Sequence, residues 1–365
     1  MIKSAVIILM VIVPFITYGQ NNSNVEVALR LEPTTESTRK SEGDFIKLKD
    51  GRILFVYSDF SGGEGDHSTA KLSGRISEDN GKSWSTSDKL ILPNEGKMNV
   101  MSVSLLRLVN GKIAMFYLRK NATDDCIVYM RTSSDEAKTW SEPVKCIEKV
   151  GYYVLNNDRV IQLKNGRIIF PVSLHRTPDT KWQNNGIISC YYSDDDGRTW
   201  NASPVVGNPD NVLLQEPGIV ELKSGKVMLF CRTNKGVQYL SFSKDNGETW
   251  SAVEPSDIIS PVSPATIERI PNSSDLLMVW NNNTNGDNLR TPLNMAISKN
   301  NGKKWLNIKS IETNPTGWYC YTSMFFTEDH VLLGYCAGDR SKNSGLETTQ
   351  ISRIKLDWVY DATKE

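Results

Sequence analysis

Five times along the chain a serine, an acid or amide two residues on, and a glycine or alanine two residues further lead into a tryptophan. The copies are SEDNGKSW ending at Trp84, SSDEAKTW at Trp140, SDDDGRTW at Trp200, SKDNGETW at Trp250 and SKNNGKKW at Trp305. Those tryptophans are 56, 60, 50 and 55 residues apart, too far for helical solenoid repeats and suited to a unit of four strands with loops. A second periodicity counts the units more fully. A turn followed by a strand recurs as DGRILFVYS, NGKIAMFYL, NGRIIFPVS, SGKVMLFCR, SDLLMVW and EDHVLLGYC, and Asp-Gly or Asn-Gly between β-branched and aromatic residues is a strong hairpin signal. Convincing 3.6-residue periodicity is absent from the mature chain. The expectation is therefore an all-β fold of about two dozen short strands, arranged as a six-bladed β-propeller of four-stranded antiparallel blades. The segment NVEVALRL is expected to complete the last blade beside ISRIKLDWVY, closing the ring between the chain ends.

The acids of SDDDGRTW invite a calcium reading, which fails on spacing. An EF-hand loop needs a bidentate Glu at its twelfth position, and counting from Asp194 puts Val205 there. A turn-shaping role fits better: the Asp and Ser accept backbone N–H bonds, the Gly takes φ > 0 and the Trp packs into its own sheet. Copies with Ala137 for Gly and Asn300 for Asp agree with structure rather than chemistry.

At 365 residues with 39% hydrophobic content the chain can bury a sizeable core, read here as a single domain over residues 20–365. Forty-two basic and forty-two acidic residues cancel, leaving no global field to gather nucleic acid or an anionic membrane surface. Residues 1–19 read as a secretory signal: Lys3, the apolar run AVIILMVIVPFI, then small residues with the cut after Gly19. The run is shorter than the ~20 residues that span a bilayer, so the mature protein is expected to be secreted or periplasmic without membrane insertion. Six cysteines form no CxxC pair and read as buried free thiols. Three histidines, at positions 67, 175 and 330, make a His-based metal centre improbable. No metal or organic cofactor is implied.

The S-x-D-x-G-x-T-W motif is the Asp box, and the whole arrangement resembles the sialidase (neuraminidase) family over essentially the entire mature chain. The resemblance implies a tyrosine nucleophile with a glutamate partner, an aspartate acid/base and three arginines holding a substrate carboxylate. A neutral nucleophile suits an anomeric carbon that bears a carboxylate, because an Asp or Glu would be repelled. In QEPGIVELKSGKVMLFCR the glutamate opening a strand and the arginine sixteen residues later are Glu216 and Arg232, the most specific match in the chain. NLRTPLNMAISKNNGKKW places Arg290 ahead of the strand leading to an Asp box, and GWYCYTSMFF places Tyr321 at the nucleophile position. SGGEGDHSTA is a glycine-rich loop carrying Asp66 where the family has its acid/base.

Two departures from the family pattern occur together. The first triad arginine is replaced by Ser41 in SEG, with Arg39 two residues earlier, and the strand that normally ends in that arginine's glutamate partner ends in Cys336. Phe60 lies near where a further family arginine is expected. Replacement cations or polar groups are offered by Arg39, by Asn157, Asp158 and Arg159 in YYVLNNDRV, by Arg119 and Lys120 in FYLRK, and by His175 and Arg176 in SLHR. The expected function is retaining, exo-acting hydrolysis of a terminal acidic sugar, sialic acid foremost, from a glycan or glycoconjugate. The alternatives are a carbohydrate-binding propeller without hydrolysis, or a glycosidase or lyase for another acidic sugar. Oligomeric state is left open.

Overall fold

The computed structural model describes residues 24–362; the expected export signal lies outside the described residues. Twenty-five strands account for about half of them, grouped into antiparallel sheets. The first sheet orders Arg39–Lys47, Ile53–Ser61, Thr69–Ser77 and Lys89–Leu92. The next two sets, Asn99–Arg107 to Val144–Lys145 and Tyr152–Val154 to Asn201–Ala202, are joined by one parallel bridge, Tyr152 to Cys126, into a nine-stranded sheet. Two further four-stranded sheets run from Gln215–Glu221 to Glu254–Ile259 and from Thr266–Arg269 to Leu306–Glu312. In the last sheet Gly317–Phe326, His330–Asp339 and Thr349–Lys355 are completed by the N-terminal strand Val25–Leu31, as expected from the two terminal segments. The expected strand ISRIKLDWVY stops early: Leu356–Tyr360 turns into a short helix that buries Trp358 and Val359.

The repeated motifs fold as their chemistry requires. Gly51, Gly111, Gly166 and Gly225 take φ between 81° and 93° in the hairpins of the first four repeats. In the box ending at Trp200, the Ser193 hydroxyl donates to Asp195 at 2.8 Å and accepts from the Gly197 N–H at 2.9 Å. Asp195 in turn accepts from the N–H and hydroxyl of Thr199. The same bonds recur around Asp79, Asp135 and Asp245, and the Asn300 box keeps all but the last because Lys304 has no hydroxyl. Three box glycines back onto the preceding set of strands so closely that a Cβ would collide: Gly197 with Met130 at 2.3 Å, Gly247 with Ile169 at 2.1 Å, and Gly81 with Leu332 of the last sheet at 2.5 Å; a Cβ on Gly302 would meet Met228 at an ordinary 3.4 Å. The Trp200 ring packs 5.1 Å from Phe170 and 5.9 Å from Phe116, and its Nε1 donates to the Gly197 carbonyl. The box thus joins a turn to the apolar layer between neighbouring sheets.

The first strands of the sheets approach one another. Arg39–Lys47 packs against Asn99–Arg107 and Gly317–Phe326, and Thr266–Arg269 packs against Gln215–Glu221 and Gly317–Phe326. Four of these strands carry a bulge at the same place, with pairing interrupted between Ser41 and Asp44, Met101 and Ser104, Gln215 and Gly218, and Cys320 and Ser323. The first bulged residue has positive φ in every case: Glu42 55°, Ser102 56°, Glu216 49°, Tyr321 55°. Such a conformation is costly for a residue with a Cβ, and a bulge re-aims the side chain it carries. Four side chains are thereby turned to one place.

Candidate active site

That place is a cavity of about 300 Å³ whose lining includes all four bulge residues, Glu42, Ser102, Glu216 and Tyr321, together with Asp66, Lys120, Arg232 and Arg290. A larger groove of about 480 Å³ lies elsewhere, lined by Leu222, Met228, Phe242 and Trp305. It is mostly apolar, and its ionisable lining residues, Lys226, Asp257 and Lys303, form no ion pair with one another among the described residues, so the chemistry belongs to the smaller cavity.

Tyr321 and Glu216 meet although 105 residues separate them: the phenol donates to Oε1 of Glu216 at 2.9 Å, while Arg232 Nη1 donates to Oε2 at 2.6 Å. Burial raises the carboxyl's proton affinity, but the charges of Arg232 and Arg290 outweigh it and hold Glu216 below its usual range. Burial, reinforced by the negative charge of Glu216, pushes the Tyr321 phenol well above its ordinary value. At neutral pH the pair is thus a neutral phenol hydrogen-bonded to a carboxylate. The Arg290 guanidinium is buried 5.6 Å from the Tyr321 ring centre and 4.8 Å from that of Trp318.

Asp66 projects from the glycine-rich loop at the cavity mouth with its side chain 54% exposed, and accepts from Arg39 Nη1 at 2.6 Å. Desolvation raises its pKa, but the charge and hydrogen bond of Arg39 prevail and the carboxyl is held below its usual range. Arg39 was expected to face a substrate carboxylate. Instead it is 1% exposed, absent from the lining, and committed to Ser41, Glu42, Asp66 and the Glu64 carbonyl, with its plane 4.5 Å from the Phe60 ring. Fixing two carboxylates consumes the donors that a ligand would need.

Asn157, Asp158 and Arg159 are also placed away from this cavity. Asn157 is fully buried and donates to the carbonyls of Gly43 and Tyr321, tying three sheets together. Asp158 accepts from the Met324 N–H, and Arg159 reaches the Ala265 carbonyl and the Thr266 hydroxyl. Asp158 and Arg159 line a separate cavity with Asp44, Glu268 and Phe230. Asp158 shares the positive φ, at 57°, yet its side chain serves that other cavity.

Of the alternative groups, Lys120 and His175 line the site, whereas Arg119 and Arg176 do not. His175 Nδ1 meets the Gln183 carbonyl at 2.8 Å and the ring stacks on Trp182; burial lowers its pKa, which keeps it neutral. Among the lining residues without a sequence signal of their own are Glu42, Ser102 and Trp182. Glu42 pairs with Arg39 at 3.0 Å and accepts from the Ser102 hydroxyl at 2.9 Å. Cys336, where the family pattern has a glutamate, instead faces Cys320 across the sheet.

The chain is similar to known proteins. A sialidase of Bacteroides fragilis (strain YCH46) is 30% identical over 186 residues, covering 47% of this chain and 32% of its own length. A sialidase of Paraclostridium sordellii is 25% identical over 236 residues, covering 57% of this chain and 56% of its own. The chain thus spans between a third and somewhat over half the length of these curated relatives. Among solved structures, the intramolecular trans-sialidase of Ruminococcus gnavus in complex with oseltamivir carboxylate superposes with a TM-score of 0.71 at 16% identity, covering 91% of this chain and 97% of its own. That likeness carries the fold. The BNR repeat-like domain matches residues 90–335, and with it the chain belongs to the BNR-repeat proteins of the sialidase superfamily.

Proposed function

We propose that this chain is an exported sialidase-like glycoside hydrolase that removes a terminal acidic sugar, with sialic acid the leading candidate, from a glycan. The observation that carries the reading is the Tyr321–Glu216 hydrogen bond backed by Arg232, a nucleophile held by a base that is itself oriented by a third group. The sheets are read as six blades of a propeller. Support comes from the six hairpins, from the box turns at Gly197, Gly247 and Gly302 that back onto the preceding set of strands, and from Gly81 doing so on the last sheet.

In the proposed reaction the Tyr321 oxygen bonds to the anomeric carbon while its proton passes to Glu216. The bond to the leaving oxygen breaks, and that oxygen takes a proton from Asp66. Water then gives a proton to Asp66 and attacks the same carbon; the tyrosyl bond breaks and Glu216 returns the proton to the phenolate. Two inversions give retention. Arg232 and Arg290 attract the sugar's carboxylate, and Trp182, 48% exposed beside Tyr152 and His175, offers an apolar wall to a sugar face.

One observation favours binding without hydrolysis: the Arg39 ion pair makes Asp66 a reluctant proton donor. The decisive assay incubates purified protein with aryl α-sialosides and follows phenol release, with Tyr321→Phe alongside. Turnover by the parent, lost in folded Tyr321→Phe, is expected. Saturable binding with no release by the parent would select the binding module, and full turnover by Tyr321→Phe would remove the tyrosine mechanism.

A further inference from the structure

The cavity and the residue directly behind it hold four cationic side chains, Arg39, Lys120, Arg232 and Arg290, against three carboxyl groups, Glu42, Asp66 and Glu216. Arg232 is matched by Glu216, and Arg39 lies between Glu42 and Asp66. Lys120 and Arg290 have no carboxylate within ion-pair distance among the described residues, although they are 1% and 6% exposed. The Arg290 Nε has no hydrogen-bond partner. Lys120 Nζ donates to the Asp66 carbonyl at 2.6 Å, touches the Met101 sulfur at 3.5 Å and sits 5.1 Å from the Tyr152 ring centre. An ammonium has three donors, and a thioether is a weak acceptor, so this donor set is incomplete. Burying a charge without a counter-charge is costly, and here two such cations border one small cavity.

We propose that Lys120 is the third cation of the acid-binding pocket. It comes from the second strand of the neighbouring sheet and stands in for the arginine that the first strand lacks. The ligand class is then a sugar bearing a single carboxylate, which lies between Lys120 and Arg290. Glu42, at the bulge of the strand without that arginine, faces the hydroxyl-rich part of the same sugar, because a carboxylate accepts hydrogen bonds and repels another acid. The inference rests on the acidic-sugar reading above and assigns specificity within it.

The test uses full-length mature protein with Tyr321→Phe, so that the probe is not consumed. Two probes differ only in charge: the methyl α-glycoside of N-acetylneuraminic acid and its methyl ester. Binding is measured by calorimetry or ligand-observed NMR. The Tyr321→Phe protein is expected to prefer the acid. Adding Lys120→Met, which keeps chain length against Tyr152, should shrink the acid-over-ester ratio about tenfold or more, and Lys120→Arg should restore most of it. Lys120→Gln serves the same comparison if the methionine variant does not fold. An unchanged ratio without the lysine overturns the inference and leaves the acidic-sugar reading standing. No preference for acid over ester, for this glycoside and for methyl galacturonide alike, removes both.

Discussion

Removing Arg39 should move the pH at which the site works, because this guanidinium alone forms an ion pair with Asp66 among the described residues. A contact of 2.6 Å between opposite charges is worth about 6 kcal/mol at the effective dielectric of a protein surface. The Asp66 side chain is 54% exposed, so solvent screening reduces this to roughly a third, about 2 kcal/mol. Since kcat/KM reports the free enzyme and Asp66 must carry a proton to protonate the leaving oxygen, activity should rise as pH falls toward the Asp66 pKa. In Arg39→Met the alkaline limb of the kcat/KM profile on an aryl α-sialoside should shift up by about one to two units, whereas Arg39→Lys should hold it near the parent position. Because Glu42 would be left buried without its partner, the double variant Arg39→Met, Glu42→Gln removes both charges and guards against unfolding. A folded Arg39→Met or double variant whose limb stays at the parent pH would refute the assignment of Asp66 as the acid.

The Asp boxes should govern stability and not turnover. Trp200→Ala, which empties the space beside Phe116 and Phe170, is expected to cost about 3 kcal/mol in denaturant melts with kcat of the remaining folded protein unchanged. Asp195 is held at about 2 by hydrogen bonds from Thr199 and Ser193. Its folded pKa is therefore depressed, and its stabilisation is full above the unfolded value of roughly 4. It should be lost as pH falls from about 4 to 2; melts across that window should show a smaller acid-induced drop for Asp195→Asn than for the parent.

Much of the fold was legible because its signals are local. A glycine needed at φ > 0, a serine and an acid two residues apart, and a tryptophan at a fixed offset each answer a constraint met within one turn. The Tyr321 and Glu216 segments were legible through resemblance, and the structure brings them together. Glu42 and Ser102 had no such signal, because what selects them is a backbone bulge repeated across strands that share no residue pattern at that point. Arg39 lies on the right strand, but its side chain runs back beneath Asp66 and Glu42. Asn157, Asp158 and Arg159 share one loop, yet the loop sends their side chains to a structural junction and another cavity. Trp182 belongs to an irregular loop where no periodicity operates.

The four bulges make the cavity a set of interchangeable sockets. Since the backbone fixes where the side chain at 42, 102, 216 or 321 is sent, the residue there can change without disturbing strand pairing on either side. The alphabet is restricted: at positive φ, valine, isoleucine and threonine are penalised most. Chemistry on this frame can therefore diversify by single substitutions at addresses far apart in sequence, and a small library varying positions 42 and 102, with Glu216 and Tyr321 kept for the reaction, samples new sugar specificities while leaving the sheets intact.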